Sequence, residues 1–408
     1  MTAMENTEMD ADIIIVGAGP AGLCLATTFS GRQLKTIVIE QQAQQELEAP
    51  AFDGREIALT QHSAKLLQTL GVWQKIDPGA IAPLRDAKVM DGPTSPHAMV
   101  IRHELGRRGE LGWLVSNHLI RHAAYQTMQQ AMLNNRDITL LAGEKLLEVR
   151  TNASQATVQL ASGRQLNARL VVAADSRFSA TRRMMGIAAQ MHDFGKTMLV
   201  CCMTHEQPHD SVAWEWFDYG QTLALLPMNP DPATGAHRSS VVITLPSHET
   251  EPLLRLQPEA FGHNVTQRFQ GRLGAMALAR TRHAYPLVSV FPERLVGTSF
   301  AAVGDAAVGM HPVTAHGFNF GLLSIETLTQ ELEAERRGGA SFAGDAMLQR
   351  YERRQKRATL PLFWATRFII EIYTRESAPA KLARTLLLRL GQRFTPLKQS
   401  IAQSLAGG

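Results

Sequence analysis

Asp12-Ile13-Ile14-Ile15-Val16 runs directly into Gly17-Ala18-Gly19-Pro20-Ala21-Gly22, and this stretch decides the fold. An apolar run of strand length ends in G-x-G-x-x-G and opens a helix-compatible stretch from 21 to 29. Gly17 permits the tight turn, Gly19 lets the backbone approach a pyrophosphate, and Gly22 lets the helix pack on the strand. The pyrophosphate would then lie on the unpaired N–H groups at the positive end of the helix.

Further motifs extend this nucleotide site. The apolar run Thr36–Ile39 ends in Glu40, whose carboxylate can accept hydrogen bonds from the hydroxyls of an adenosine ribose. Far downstream, in Gly304-Asp305-Ala306-Ala307, the Asp305 carboxylate can bind ribityl hydroxyls, although a helix N-cap is an alternative role. Gly317-Phe318-Asn319 begins a predicted helix whose first N–H groups can face a flavin ring. Together these motifs predict that one chain binds an FAD from both ends.

Bulk composition narrows the class of protein. The length of 408 residues suggests about two domains, and the net charge of +4 is too small to indicate nucleic acid binding. The three cysteines form neither a disulfide framework nor a metal site, which favours a reducing, cytoplasmic location: Cys24, Cys201 and Cys202. No metal site is expected.

The charge is unevenly distributed, because no acidic residue follows Glu376. Five cations lie in this tail: Lys381, Arg384, Arg389, Arg393 and Lys398. The tail would suit an anionic surface, such as the inner membrane, or an acidic partner. A solvated basic helix is the alternative.

The sequence pattern changes in the middle of the chain, from helical to β-type runs. The patterns predict helices over 57–73 and 117–133 and a buried strand over 170–174. From 197 to 245 the sequence becomes rich in β-type runs, which predicts an antiparallel sheet inserted into the nucleotide domain. The fold class is therefore mixed α/β, with a Rossmann-like FAD-binding domain, an inserted antiparallel β-sheet substrate domain and a helical C-terminus.

A third motif, Ala174-Asp175-Ser176-Arg177-Phe178-Ser179 with Arg182, lies between the two already described. With it, the chain resembles the flavoprotein aromatic hydroxylases of the p-hydroxybenzoate hydroxylase type. It is most similar to the ubiquinone-biosynthesis hydroxylases of the UbiH, UbiF and UbiI group, through segments 53–59, 70–73 and 115–117 and the ending 396–398. The variant segment 309–317 is most similar to the UbiM branch.

The resemblance assigns further residues to the cofactor. It places Arg55 near the pyrophosphate, with a surface salt bridge as the alternative, and adds Asn117 and Asp175 to the FAD site. The chain departs from the family at three positions. Ser176 replaces a glycine, which puts the usual nicotinamide contact in doubt. His316 lies where the family has Gly-Gln-Gly, and Ser324 stands where it has an aspartate.

Two groups of residues are candidates for the chemistry and the substrate. His311 and His316 lie where the flavin ring is expected and can tune charge or move a proton, with Pro312 shaping the backbone beside them. Hydrogen-bonded packing is the alternative for both histidines. Trp214 and Trp216 share one face of a predicted strand, with Tyr219 in the turn beyond. These aromatic residues can wall an aromatic substrate pocket or pack the core between sheet and neighbour.

The resemblance implies an FAD-dependent monooxygenase that hydroxylates the ring of a prenylated phenol or quinol in ubiquinone synthesis, using NAD(P)H and O2. Other quinone-biosynthesis proteins and a membrane surface are possible partners. A soluble catabolic phenol hydroxylase and a catalytically impaired FAD-binding scaffold are the alternatives. The predicted division is an FAD-binding domain at 10–80, 105–185 and 285–355, a substrate domain at 81–104 and 186–284, and a C-terminal helical segment at 356–408.

Overall fold

The computed structural model of the protein describes residues 9–92, 98–106, 109–218, 220–310, 317–338 and 342–374. The strands are β1 (Ala11–Val16), β2 (Thr36–Glu40), β3 (Glu56–Thr60), β4 (Ala82–Leu84), β5 (Asp86–Asp91), β6 (Met99–Ile101), β7 (Gly112–Ser116), β8 (Ile138–Ala142), β9 (Leu146–Thr151), β10 (Ala156–Leu160), β11 (Gln165–Ala173), β12 (Ala189–His205), β13 (Val212–Asp218), β14 (Gln221–Met228), β15 (His237–Pro246), β16 (Met276–Leu278), β17 (His283–Pro292), β18 (Val296–Gly297) and β19 (Phe300–Ala302).

The helices are α1 (Pro20–Phe29), α2 (Gln44–Glu48), α3 (Gln61–Leu70), α4 (Asn117–Asn135), α5 (Ala180–Met184), α6 (Ser247–Arg255), α7 (Pro258–Arg268), α8 (Gly317–Arg337) and α9 (Asp345–Thr374). Short 3-10 turns add to these, including one at Gly304–Ala306.

The first sheet is the nucleotide-binding sheet. Its strands follow the order β18-β19-β11-β1-β2-β8, and the four pairings from β19 to β8 are parallel. The centre of β1 is fully buried, because a parallel sheet is covered on both faces. The strands β1, β2, β11 and β19 therefore end at one edge of the sheet, and the motifs that follow them are brought together there.

The second sheet is the large antiparallel one, in the order β16-β12-β15-β14-β13-β5-β6, with β17 also paired to β12. One face packs against α6 and α7 through buried apolar side chains such as Phe261 and Phe269. We call the opposite face the inner face; its central residues are Val200, Cys202, Ala213, Glu215, Thr222, Ala224, Leu226, Ser240 and Val242. The predicted mixed α/β fold with an inserted antiparallel sheet is confirmed.

The third sheet, β3-β7-β4, lies between the other two and corrects one prediction. The helix predicted over 57–73 begins only at Gln61, because residues Glu56–Thr60 form β3. Thr60 caps the helix by accepting a hydrogen bond from Ser63 N, and Gly71 ends it in a left-handed conformation. The helix predicted over 117–133 is present as α4, and the strand predicted over 170–174 is the end of β11.

The inner face turns toward this third sheet. Ala213 packs with Ala58 and Leu84 in one small hydrophobic cluster, and Asn229 Nδ2 donates to Gly79 O and Ile81 O. The domain limits stay a prediction. Of the predicted C-terminal segment, the structure describes the part within α9. No helix in the described ranges is long and apolar enough to cross a bilayer.

Candidate cofactor and substrate site

The glycine loop after β1 is shaped by backbone contacts. Gly17 has φ +108°, and a Cβ there would lie 2.6 Å from Ala174 O. A Cβ on Gly22 would overlap Gly17 O, whereas one on Gly19 meets nothing within 4 Å. Gly17 and Gly22 are thus required by the fold itself. Gly19 faces open space at the N-terminus of α1, which is where a pyrophosphate would approach.

Glu40 lies next to this loop at the end of β2. Its Oε2 accepts a hydrogen bond from Ala18 N at 2.7 Å, and its Oε1 accepts one from Gln42 N at 2.8 Å. Each carboxylate oxygen can accept a second bond, so ribose hydroxyls can still be bound. The backbone contacts hold the carboxylate in place for that role.

Asp175 follows β11 at the same edge. Its Oδ2 accepts hydrogen bonds from the backbone and hydroxyl of Thr181, while its Oδ1 is buried without a partner in the described ranges. Arg182 is 2% exposed, and its Nη1 donates to Arg177 O and Ala306 O. This arginine therefore joins the middle motif to the Gly304 turn, a role that its sequence position alone did not indicate.

Asp305 lies inside the 3-10 turn Gly304–Ala306, and Val303 occupies the capping position. The N-cap alternative therefore does not apply. The Asp305 side chain is 42% exposed, and its Oδ2 lies 3.7 Å from Arg177 Nη2. Gly304 has φ +63°, and its N–H donates to Ser324 Oγ at 3.0 Å. The serine that departs from the family pattern thus holds this turn, and the Asp305 carboxylate keeps acceptor capacity for a ligand.

The N-terminus of α8 lies beside Asp305, since a Cβ on Gly317 would be 3.9 Å from Asp305 Oδ1. Phe318 is partly buried against the core of the nucleotide domain. Asn319 has a structural role through its side chain, and its contact with the cofactor stays a prediction. Its Oδ1 accepts from Thr60 N and its Nδ2 donates to Ala58 O, so the side chain ties α8 to β3.

Arg55 and Asn117 both donate hydrogen bonds to Asp53, a residue that the sequence did not single out. Nε and Nη2 of Arg55 donate to Asp53 Oδ2 at 2.9 and 2.6 Å, and Asn117 Nδ2 donates to the same oxygen at 2.7 Å. Burial acts to raise the pKa of Asp53, but the Arg55 guanidinium and these hydrogen bonds lower it below its usual value. Arg55 therefore forms a salt bridge, which was the alternative role, and its contact with the pyrophosphate stays a proposal.

The two tryptophans lie on the helix-covered face of the large sheet. Trp216 is fully buried, donates from Nε1 to Gly92 O, and packs edge-on against Phe269. Trp214 packs on the same cluster, with Lys88 over its ring. This placement favours core packing over a pocket wall. Tyr219, His311, Pro312 and His316 lie outside the described residues.

The inner face and the third sheet opposite it carry groups that the sequence did not single out. Glu56 on β3 accepts a hydrogen bond from Ser116 Oγ, and burial raises its pKa to about 7. Glu215 on β13 has a buried Oε1 that lacks a hydrogen-bond partner in the described ranges. No cluster of His, Cys, Asp or Glu within those ranges has an arrangement that could hold a metal ion.

These residues fit an FAD. The open side of Gly19, the fixed Glu40 carboxylate, the unpartnered Asp175 Oδ1 and the half-exposed Asp305 carboxylate all follow strands that end at one sheet edge. They offer N–H donors for phosphate and acceptors for sugar hydroxyls.

Comparisons with known proteins agree with this reading. Residues 10–361 match the family described as FAD binding domain. The chain is 43% identical over 404 residues to ubiquinone hydroxylase UbiM of Neisseria meningitidis, covering 98% of this chain and 85% of that protein. It is 32% identical over 397 residues to ubiquinone hydroxylase UbiL of Rhodospirillum rubrum, covering 97% and 90%.

Among solved structures, p-nitrophenol 4-monooxygenase PnpA from Pseudomonas putida superposes with a TM-score of 0.71 at 18% identity, covering 98% of both chains. At that identity the similarity is evidence for the fold alone. The chain belongs to the FAD binding domain family of flavoproteins and, within it, to the ubiquinone hydroxylases.

Proposed function

We propose that the protein is an FAD-dependent monooxygenase that hydroxylates the aromatic ring of a prenylated ubiquinone precursor, with NAD(P)H as reductant and O2 as co-substrate. One observation carries the proposal. The motifs of the cofactor site meet at the carboxyl edge of the parallel sheet, and the inner face of the large sheet lies over the neighbouring strands β3 and β4.

The inner face is suited to an aromatic substrate. Its residues on β13 and β14 are partly exposed, although their neighbours on the other face, such as Leu223 and Leu225, are fully buried. We infer from this partial exposure that the two sheets leave a cleft between them. Most of its lining is apolar, which suits a ring, because ligand sites are mostly apolar with a few placed polar groups.

The residues of the chain would bind and orient the reactants. The glycine loop, Glu40 and Asp305 would hold the two ends of the cofactor, and the first N–H groups of α8 would face its ring. FAD, when bound, supplies the reduction by NAD(P)H and the activation of O2. The cleft would exclude water from the substrate ring.

The test uses the purified flavoprotein with a prenylated phenol in detergent, NAD(P)H and isotopically labelled O2. We expect one labelled oxygen atom in the product and a matching consumption of NAD(P)H. An unprenylated phenol is the second arm. Equal rates for the two phenols would support a catabolic hydroxylase instead, and FAD binding without any product would support a scaffold.

Two finer points belong to the same proposal. We infer that the basic segment after Glu376 makes peripheral contact with an anionic membrane surface, where prenylated substrates are found. Other proteins of quinone biosynthesis are the macromolecular partners we expect. The five cations without any acid support this inference, since each contributes about 1 kcal/mol near such a surface.

A further inference from the structure

Glu215 is partly exposed as a residue, but one oxygen of its carboxyl group is buried in apolar surroundings. Its Oε1 is inaccessible to solvent and has no hydrogen-bond partner in the described ranges. An ionisable group in such a place is costly to the fold, so it calls for an explanation. Burial raises the pKa of Glu215 to about 8, and no charged group contributes to that shift.

The position of Glu215 in the sheet directs it toward the cofactor domain. The strand pairings set Glu215 opposite Ala224, Ala224 opposite Val242, and Val242 opposite Val200, which is itself opposite His283. Directly paired residues share one face of a sheet. At the far end of this row the His283 ring lies against Gly54, beside Arg55, so the row faces the cofactor domain.

The environment of Glu215 consists of apolar and neutral groups. Along its own strand Ala213 packs with Ala58 and Leu84, and across the sheet its partners are Val89 and Ala224. Two basic side chains, Lys88 on β5 and Arg272 in the segment before β16, lie over the tryptophan rings of the other face.

The titratable groups of the facing elements interact with one another and not with Glu215. The charges of Arg238 on β15 and of Arg280 act to lower the pKa of both Glu56 on β3 and Cys202 on β12, and Glu56 acts to raise the pKa of Cys202. None of them contributes to the pKa of Glu215. The carboxyl group is therefore separate from that cluster.

A second unpartnered polar atom lies on the same face. Ser240 Oγ is buried and has no hydrogen-bond partner in the described ranges. Ser240 is on β15, two strands from Glu215 on β13 and two residues along the strand from Val242 in the same row, which corresponds to about 12 Å. Two unsatisfied polar groups on an otherwise apolar wall, at a distance that a substituted ring can span, form the lining expected of a binding cleft.

We propose that Glu215 is a catalytic residue that accepts the proton of the substrate's ring hydroxyl. The O–H bond breaks, its electron pair stays on the phenol oxygen, and the proton forms a new O–H bond on the Glu215 carboxylate. The phenolate makes its ring carbons electron-rich. A ring C–H is then replaced by C–OH with the O2 and NAD(P)H of the proposed function, and the proton on Glu215 returns to the product oxygen.

The raised pKa matches this task. A phenol has a pKa of about 10, so a carboxylate at its ordinary value is a poor base for it. A carboxylate whose pKa is about 8 is a much stronger one, and about a tenth of it is ionised at pH 7.

The experiment compares the wild-type holoenzyme with Glu215→Gln, Glu215→Leu and the control Glu251→Gln, an exposed glutamate on α6. The inference rests on the proposed function, so kcat/KM for a prenylated phenol is measured against pH. We expect the wild type and the control to rise about tenfold per pH unit up to about pH 8. Glu215→Gln should lose this rise and fall by about 10² to 10⁴ at its plateau, with full flavin content.

Two further measurements do not require turnover. Difference infrared spectroscopy of the oxidised holoenzyme should show the band of a protonated carboxyl that shifts when unsubstituted phenol is added and is absent in Glu215→Gln. Glu215→Leu should raise the melting temperature, because it removes a buried unpaired polar group. A purely structural glutamate would give lower melting temperatures in both variants.

The inference is overturned if Glu215→Gln keeps the pH-dependent rise, if phenol leaves the infrared band unchanged, or if both variants are destabilised. Failure of the proposed function looks different. The wild type would then make no hydroxylated product from any phenol, whatever the infrared band shows.

Discussion

Two glycine substitutions should separate folding from cofactor binding. In Gly22→Ala the added Cβ overlaps a backbone carbonyl, that of Gly17, which no side-chain rotation can relieve. Such overpacking costs about 3 kcal/mol. Since 1 kcal/mol shifts the melting temperature of a large domain by about 2–4 °C, the apoprotein should melt about 6–12 °C lower.

Gly19→Val should behave in the opposite way. The backbone at Gly19 has φ −68° and ψ 174°, which valine adopts readily, and its Cβ meets nothing within 4 Å. The apoprotein should therefore melt close to the wild type. The isopropyl group would instead occupy the approach of the pyrophosphate. Losing two charge-assisted N–H bonds at about 1.5–3 kcal/mol each weakens FAD binding by about 10² to 10⁴-fold.

The assay is thermal unfolding of the flavin-free protein by circular dichroism, followed by FAD titration with flavin fluorescence. Gly297→Ala is the matched control, because its Cβ would make only ordinary contacts of 3.6 Å or longer. If Gly19→Val bound FAD with wild-type affinity, the glycine loop would not be the site that binds the pyrophosphate. Wild-type melting in Gly22→Ala would refute the steric argument.

Three more predictions follow from the same contacts. Asp305→Ala should lose most of its flavin, read from absorbance against protein concentration, while its circular dichroism stays unchanged, because the side chain is half-exposed and makes one long ion pair. For Glu56 the folded pKa of about 7 lies above the ordinary 4.5, so its neutral form stabilises the fold fully below about pH 4.5 and that stability is lost as the pH rises to about 7. Glu56→Gln should therefore lose less stability than the wild type between pH 5 and 8 in denaturant titrations. Truncation before Lys381 should lower activity on a prenylated substrate more than on a short-chain analogue, with FAD retained; equal losses would make the tail a structural element.

The sequence was most predictive where local geometry leaves little choice. The run from Asp12 to Gly22 predicted strand, turn and helix, because Gly17 and Gly22 are each required by a close backbone contact. The β-rich stretch from 197 to 245 likewise became β12 to β15. The helical periodicity after Ile57 extended into a strand because the cap at Thr60 was not recognised.

Contacts between side chains that are far apart in the sequence could not be predicted from local sequence patterns. Asp53 joins Arg55 to Asn117, and Arg182 joins two motifs more than a hundred residues apart. The tryptophan pair was read correctly as sharing one face, but only the sheet pairings and α7 show which face is covered. Glu215 gave no signal at all, because a lone glutamate between two tryptophans resembles an ordinary solvent-facing position.

The double contact of Asn319 predicts that FAD binding and substrate binding are thermodynamically linked. Two hydrogen bonds set both the height and the rotation of the first turn of α8 against β3. Ala58, whose carbonyl accepts one of them, belongs to the same small hydrophobic cluster as the inner-face residue Ala213. A ligand that orders the helix terminus therefore also orders the cleft floor, so FAD should tighten phenol binding and phenol should tighten FAD binding by the same factor.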